Sequence, residues 1–200
     1  MKEKNLAQKR KLQIYKAALK VFSKNGYYKA DMDLIAQKAK IGKGTIYRYF
    51  DSKKTLFVSL VKWGLNLLKD EILMSIEDID DEVEKITTAL TIYFDFYNAK
   101  KGFYRVLVYE RYTFMDKIAK EYEKTYSTHL HIIENIFQQG IKKGVFKNID
   151  TKSASFALVG IADSLLFKSL YEDKSFGFDD ELAYLKEIFF KGILVEKEEH

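Results

Sequence analysis

Seven consecutive residues carry the densest chemistry of the chain: Lys43, Gly44, Thr45, Ile46, Tyr47, Arg48 and Tyr49. Set Ile46 aside as apolar, and what remains is two cations, a hydroxyl and phenols, with no carboxylate. That set suits contact with phosphates and base edges. Gly44 offers no side chain, but it lets a backbone come close. For these groups to act together they must stand on one rigid face. A helix over residues 43–50 provides it, because Ile46 and Phe50 lie four apart and turn inward with Ile41. Lys43, Thr45, Tyr47 and Arg48 are then left outside.

A second short helix must hold the first. The spacing predicts it over residues 32–39, with Asp31 accepting the unpaired N–H groups of its first turn. Leu34, Ile35 and Ala39 form its apolar stripe. Ala36 is small where two helices cross. Lys40-Ile41-Gly42 makes the turn, Ile41 plugs it, and Ile46 and Tyr49 anchor the second helix back onto the first. These offsets fit a helix-turn-helix. An ordinary helical hairpin, as in a protein-binding adaptor without specific DNA binding, is the alternative reading.

Charge follows the same division. The chain has 200 residues and a formal net charge of +5. Residues 1–60 hold 15 Lys and Arg against 4 Asp and Glu, net +11; the remaining 140 hold 19 against 25, net −6. Such segregation favours a polyanion as partner of the first third. The composition, 47% apolar and 15% aromatic, is that of a folded protein with a core. With no Cys, there are no disulfides, no thiolate catalysis and no cysteine-bound zinc, and a cytoplasmic home is expected. With no Pro and little period-two alternation, the expected fold class is all-α. No apolar run reaches the roughly 18 residues of a membrane span.

The run Ala18 to Phe57, ALKVFSKNGYYKADMDLIAQKAKIGKGTIYRYFDSKKTLF, resembles the N-terminal domain of the tetracycline-repressor (TetR) family of bacterial transcription regulators. GKGTIYRYFDSKKTLF is its most recognisable part. Two positions depart from the family pattern. Lys40 stands where the family usually has Gly, at a place that needs φ > 0, for an expected strain of about 1 kcal/mol. Gly42 stands where the family usually has a Ser or Thr cap, at a cost of only a few tenths of a kcal/mol. The resemblance implies that Tyr49 and Lys53 hold phosphate. Lys53 opens a helix, where the dipole disfavours a cation, so its place there needs a reason.

The expected architecture is about nine helices in two domains: a three-helix DNA-binding domain over 1–52 and a ligand-binding and dimerisation domain over 53–200. The first helix is expected over 4–24, with Leu12, Tyr15, Leu19 and Phe22 buried and Gly26 ending it. The fourth runs from 53 to 74 or 76, with Ser52 or Asp51 as cap and Leu56, Leu60, Trp63 and Leu67 inward. It is roughly 35 Å long, the natural lever between domains. Further helices are expected over 82–99, 103–112, 116–143, 151–171 and 179–195. Lys100-Lys101-Gly102 breaks the fifth, Gly144 closes the seventh, Asp150-Thr151 caps the eighth and Asp179-Asp180 the ninth. Lys174 to Phe178 reads as a loop.

The last two helices are apolar over too wide an arc for one-sided burial. A two-fold four-helix bundle in a homodimer would cover them, through Phe156, Gly160, Phe167, Leu182, Leu185 and Phe189; the resemblance implies that arrangement too. It also implies that a small molecule entering among helices four to eight releases the DNA. Trp63, Tyr93, Tyr97, Phe103, Tyr104, Leu107, Tyr112, His129 and Ile133 are the candidate lining. Their aromatic character suits a mostly apolar or aromatic effector. No phosphate loop or nucleophile elbow is present, and His129 and His131 point roughly 200° apart on a helix, so neither catalysis, a metal nor a cofactor is expected.

Overall fold

The computed structural model describes residues 2–111, 119–172 and 179–193, with side chains over 5–108, 127–169 and 180–193. Among the described residues there are nine helices and no strand: α1 (Lys2–Lys29), α2 (Met32–Lys38), α3 (Lys43–Tyr49), α4 (Lys53–Ile76), α5 (Glu82–Ala99), α6 (Lys101–Arg111), α7 (Ala119–Lys142), α8 (Thr151–Glu172) and α9 (Asp179–Ile193). The expected start of the seventh helix at Asp116, the loop Lys174 to Phe178, the ninth helix's last turn at Val195 and the pocket residue Tyr112 lie outside the described residues. Contacts divide the chain into two compact units, Met1–Asn66 with Lys100–Glu123, and Leu67–Ala99 with Lys124–His200. α4 therefore contributes to both.

In the first unit, α1 packs against α2 and α6. The buried stripe of α1 is Ile14, Ala17, Ala18, Val21 and Phe22. This corrects the expected stripe: Leu12 is 37% exposed, and Tyr15 and Leu19 are only half-buried. The two alanines explain the rotation, since small side chains let neighbouring helices come close on that side. Gly26 has φ 70° and ψ 170°, so the regular helix does stop there, but one more turn runs on to Lys29. α6 starts at Lys101, two residues earlier than expected, and takes in Gly102; only Lys100 interrupts the chain after α5. Phe103 of α6 lies over Gly64 of α4 so closely that a methyl group on Gly64 would sit 2.2 Å from its ring. Leu67, expected inside, is 38% exposed; Leu56, Phe57, Leu60, Val61 and Leu65 take the inward positions of α4 in this unit.

In the second unit, α5, α8 and α9 contact one another. Ile86, Phe94, Phe137, Phe146, Leu158 and Leu185 fill the core. Asp81 caps α5 by accepting the Glu84 N–H at 2.8 Å. Glu82, only 2% exposed, lies 2.8 Å from the Lys143 ammonium, which also donates to the Asp80 carbonyl. The segment before α5 is thus pinned to the end of α7. Gly144, φ 71°, closes α7 as expected. Asp150 accepts the Ser153 hydroxyl at 2.6 Å and the Lys152 N–H, capping α8; the Ser153 bond, first of these, holds its carboxyl below the ordinary aspartate range.

α8 resolves the puzzle of its wide apolar arc. Ser155, Leu158, Ala162 and Leu166 are buried, at helical spacing. Phe156, Gly160, Ile161 and Phe167 lie on the exposed side. The helix has two apolar stripes, and this chain's core uses one.

Candidate nucleic-acid interface

α2, the turn and α3 are built from local signals. Asp31 caps α2, its Oδ1 accepting the Asp33 N–H at 2.9 Å. Ile35 and Ala39 are buried, while Leu34 is half-buried. Lys40 then takes φ 52°, the one positive φ outside glycine among the described residues. The chain accepts that strain because the turn is tied on both sides: the Lys40 and Ile41 N–H groups donate to the carbonyls of Gln37 and Ala36. Gln13 of α1 donates to the Ala39 carbonyl at 2.5 Å, and Arg10 donates to Gln13 at 2.8 Å. Gly42 is the N-cap of α3 without a side-chain bond, as its residue type requires.

Ile46 is fully buried and Phe50 is 2% exposed. The Phe50 ring meets Tyr15, which stacks on Trp63 at 5.2 Å. These contacts hold the opposite side of α3 outward. Lys43, Gly44 and Arg48 are exposed, and Tyr47 is 41% exposed; Thr45 and Tyr49 are half-buried. The Arg48 guanidinium carbon is 5.8 Å from the Tyr49 ring centre. A methyl group on Gly44 would meet nothing within 4 Å, so this face is open.

Two cations have partners that sequence reasoning missed. The Lys43 ammonium lies 2.8 Å from Oδ2 of Asp33 in α2, and this hydrogen bond raises the Lys43 pKa above its ordinary value. No carboxylate stands on α3 itself, but one reaches its face from ten residues earlier. Lys53 donates to the carbonyls of Tyr28 and Ala30, at 3.1 and 2.9 Å, and sits 4.7 Å from the Tyr27 ring centre. Tyr28 is in the last turn of α1 and Ala30 directly follows that helix, at an end where a cation is favoured. The two carbonyls take two of the three donors of the ammonium.

The expected effector residues fall in different units. Trp63, Phe103, Tyr104 and Leu107 belong to the first, with Trp63 half-buried and the rest buried. Tyr93, Tyr97, His129 and Ile133 belong to the second. There Tyr93 and Tyr97 pack edge to face at 4.9 Å, and the Tyr93 hydroxyl donates to Asp163 at 2.5 Å. Asp163 was missed because its partner lies 70 residues away. Of the expected dimer residues, Phe156, Gly160 and Phe167 are exposed and Leu182 is half-buried. Leu185 is 2% exposed and belongs to the core, and Phe189 is half-buried against Phe137 and Phe190. Tyr184 and Ile188, each more than 60% exposed, take the outer side of α9 instead.

A helix-turn-helix whose second helix bears exposed cations and no carboxylate of its own defines a DNA-binding class of protein. Comparison with known proteins narrows the class. The model described as "Bacterial regulatory proteins, tetR family" matches residues 14–60, and that described as "Tetracyclin repressor-like, C-terminal domain" matches residues 80–166. The chain belongs to the tetR family of bacterial regulatory proteins. It is a DNA-binding transcriptional regulator.

Among its relatives is the fatty acid metabolism regulator protein of Bacillus subtilis, 24% identical over 166 residues, which are 82% of this chain and 86% of that protein. The fatty acid degradation regulator FadR from Bacillus halodurans has a similar fold: TM-score 0.83, 22% identity, covering 90% of this chain and 94% of that one. FadR from Bacillus subtilis in complex with stearoyl-CoA gives a TM-score of 0.82 at 21% identity, covering 90% and 98%.

Proposed function

We propose that the chain acts in the cytoplasm as a homodimeric repressor that binds a palindromic operator and leaves it when a small effector binds. The exposed face of α3 is the observation that carries the DNA part. Lys43, Gly44, Thr45, Tyr47 and Arg48 are assigned to the major groove, and Tyr49 and Lys53 to phosphates. Residues 1–52 carry DNA binding, and residues 53–200 carry effector binding and dimerisation. The outer stripes of α8 and α9 support a two-fold bundle with a second copy. It would set two recognition helices about 34 Å apart or a multiple of that.

The effector is mostly apolar or aromatic, held by aromatic residues of the C-terminal domain. The stearoyl-CoA in the Bacillus subtilis FadR structure makes a long-chain acyl compound the first class to test. Selection from a random duplex pool, followed by salt titration on the winner, tests the operator. An enriched palindrome with steep salt dependence supports a specific dimeric regulator; absence of enrichment from a folded dimer overturns it. Stearoyl-CoA is then added to the complex. Release at saturating ligand reflects a coupling of about 1–3 kcal/mol, and unchanged DNA affinity across an acyl and aromatic panel overturns the sensing role.

A further inference from the structure

Lys43 opens the helix assigned to the major groove, yet in the free chain its charge is already matched. Its ammonium is 2.8 Å from the Asp33 carboxylate, and both side chains remain at least half exposed. The backbone of Asp33 is held at the start of α2, because its N–H is donated to the Asp31 carboxylate that caps that helix. We propose that Asp33 is a specificity-determining residue: its ion pair keeps Lys43 from engaging any phosphate it meets, and only a site offering Lys43 a better contact displaces it. The inference rests on the DNA-binding reading of α3.

The exposure of the pair decides its role. A half-exposed ion pair adds little to fold stability and is exchanged readily, so it serves poorly as a strut and well as a removable partner. On an arbitrary duplex, Lys43 stays with Asp33 and releases no counterion. On the operator, it trades the carboxylate for a base edge or a positioned phosphate. The carboxylate then faces a polyanion, and that repulsion is offset only where the new contact is good. Specificity is a difference of affinities, and an element that penalises wrong sites raises it as surely as one that rewards right ones. The competing explanation is that Asp33 serves only the N-terminus of α2, where an acidic residue is favoured.

The test uses the full chain as wild type, Asp33→Asn, Lys43→Met and the double variant. Dissociation constants are measured on the selected duplex and on a scrambled duplex of equal length, across a salt series. Asp33→Asn is expected to tighten binding to the scrambled duplex by about three- to tenfold at low salt and to steepen its salt slope by about one. The selected duplex gains less, so discrimination falls. In the Lys43→Met background the same change does little. Unaltered scrambled-duplex affinity in Asp33→Asn overturns the proposal. So does an equal gain with and without Lys43, which would mean simple charge removal. A melting temperature that falls in Asp33→Asn while DNA binding is unmoved assigns Asp33 to α2 alone. A wild-type chain that binds neither duplex overturns the DNA-binding reading itself, and this proposal with it.

Discussion

α3 and α8 each carry a glycine with open space above it. An added methyl group at Gly44 or at Gly160 meets nothing within 4 Å. Glycine inside a helix costs about 0.5–1 kcal/mol relative to alanine, and in neither place does the chain's own packing require it. Gly64 and Gly140 are the contrast, since Phe103 and Phe146 occupy the space a side chain would need. What surrounds each open glycine differs. Around Gly44 stand Lys43, Tyr47 and Arg48; around Gly160 stand Phe156, Ile161 and Phe167. One face offers cations and hydrogen-bond donors, and the other offers apolar bulk. The same device, a bare stretch of helix backbone, suits a polyanion in the first case and a second apolar helix in the second.

The largest effect expected comes from spoiling the apolar face. Phe167→Glu combined with Ile188→Glu puts carboxylates where a partner would desolvate them. The dimer dissociation constant should rise by about 100-fold or more, read by analytical ultracentrifugation. Both residues are exposed in this chain, so its melting temperature should hold. An unchanged dimer would remove α8 and α9 from the interface.

Arg48→Ala spoils the other face. Operator affinity should fall about 10- to 100-fold, with scrambled DNA less affected, if the guanidinium makes a bidentate guanine contact. Dimerisation should not change. Equal losses on both duplexes would make Arg48 a phosphate contact.

The glycines sharpen the comparison. Gly44→Ala and Gly160→Ala should each leave the fold intact or slightly stabilised, by up to about 1 kcal/mol. Gly44→Ala should weaken operator binding alone, and Gly160→Ala the dimer alone. A variant that loses neither function would show its glycine to be incidental.

Lys53→Met has two readouts, fold stability and the salt dependence of DNA binding. Losing its bonds to the Tyr28 and Ala30 carbonyls should cost about 1–3 kcal/mol of stability. Losing a phosphate contact should flatten the salt slope by about one. A stability loss with an unchanged slope would leave Lys53 only the task of joining α4 to the end of α1.

Much of the helix-turn-helix is legible in sequence because its determinants are local. Asp31 caps within two residues, Ile46 and Phe50 share a face by helical period, and Lys40 takes the positive φ its position demands. α2, α3, α4 and α5 stand within a residue of their expected bounds for the same reason. Partners distant in sequence were not legible. Asp33 and Lys43 are ten residues apart, Lys53 and Ala30 twenty-three, Tyr93 and Asp163 seventy. No periodicity encodes such pairs.

The sequence by itself determined the all-α class, the bounds of α2 to α5, the concentration of cations in the first third and the polar residues left on the outer side of α3. Each follows from propensity, capping and charge, which act over a turn or two of chain. Only the tertiary structure decided which of two apolar stripes on α8 is core, that Leu12 is on the outside of α1 and that Leu185 is on the inside of α9. A helix with apolar residues on several sides has no preferred inner face until its neighbours choose one. That choice comes from packing between distant elements, where small residues such as Ala17 and Gly64 let another helix approach.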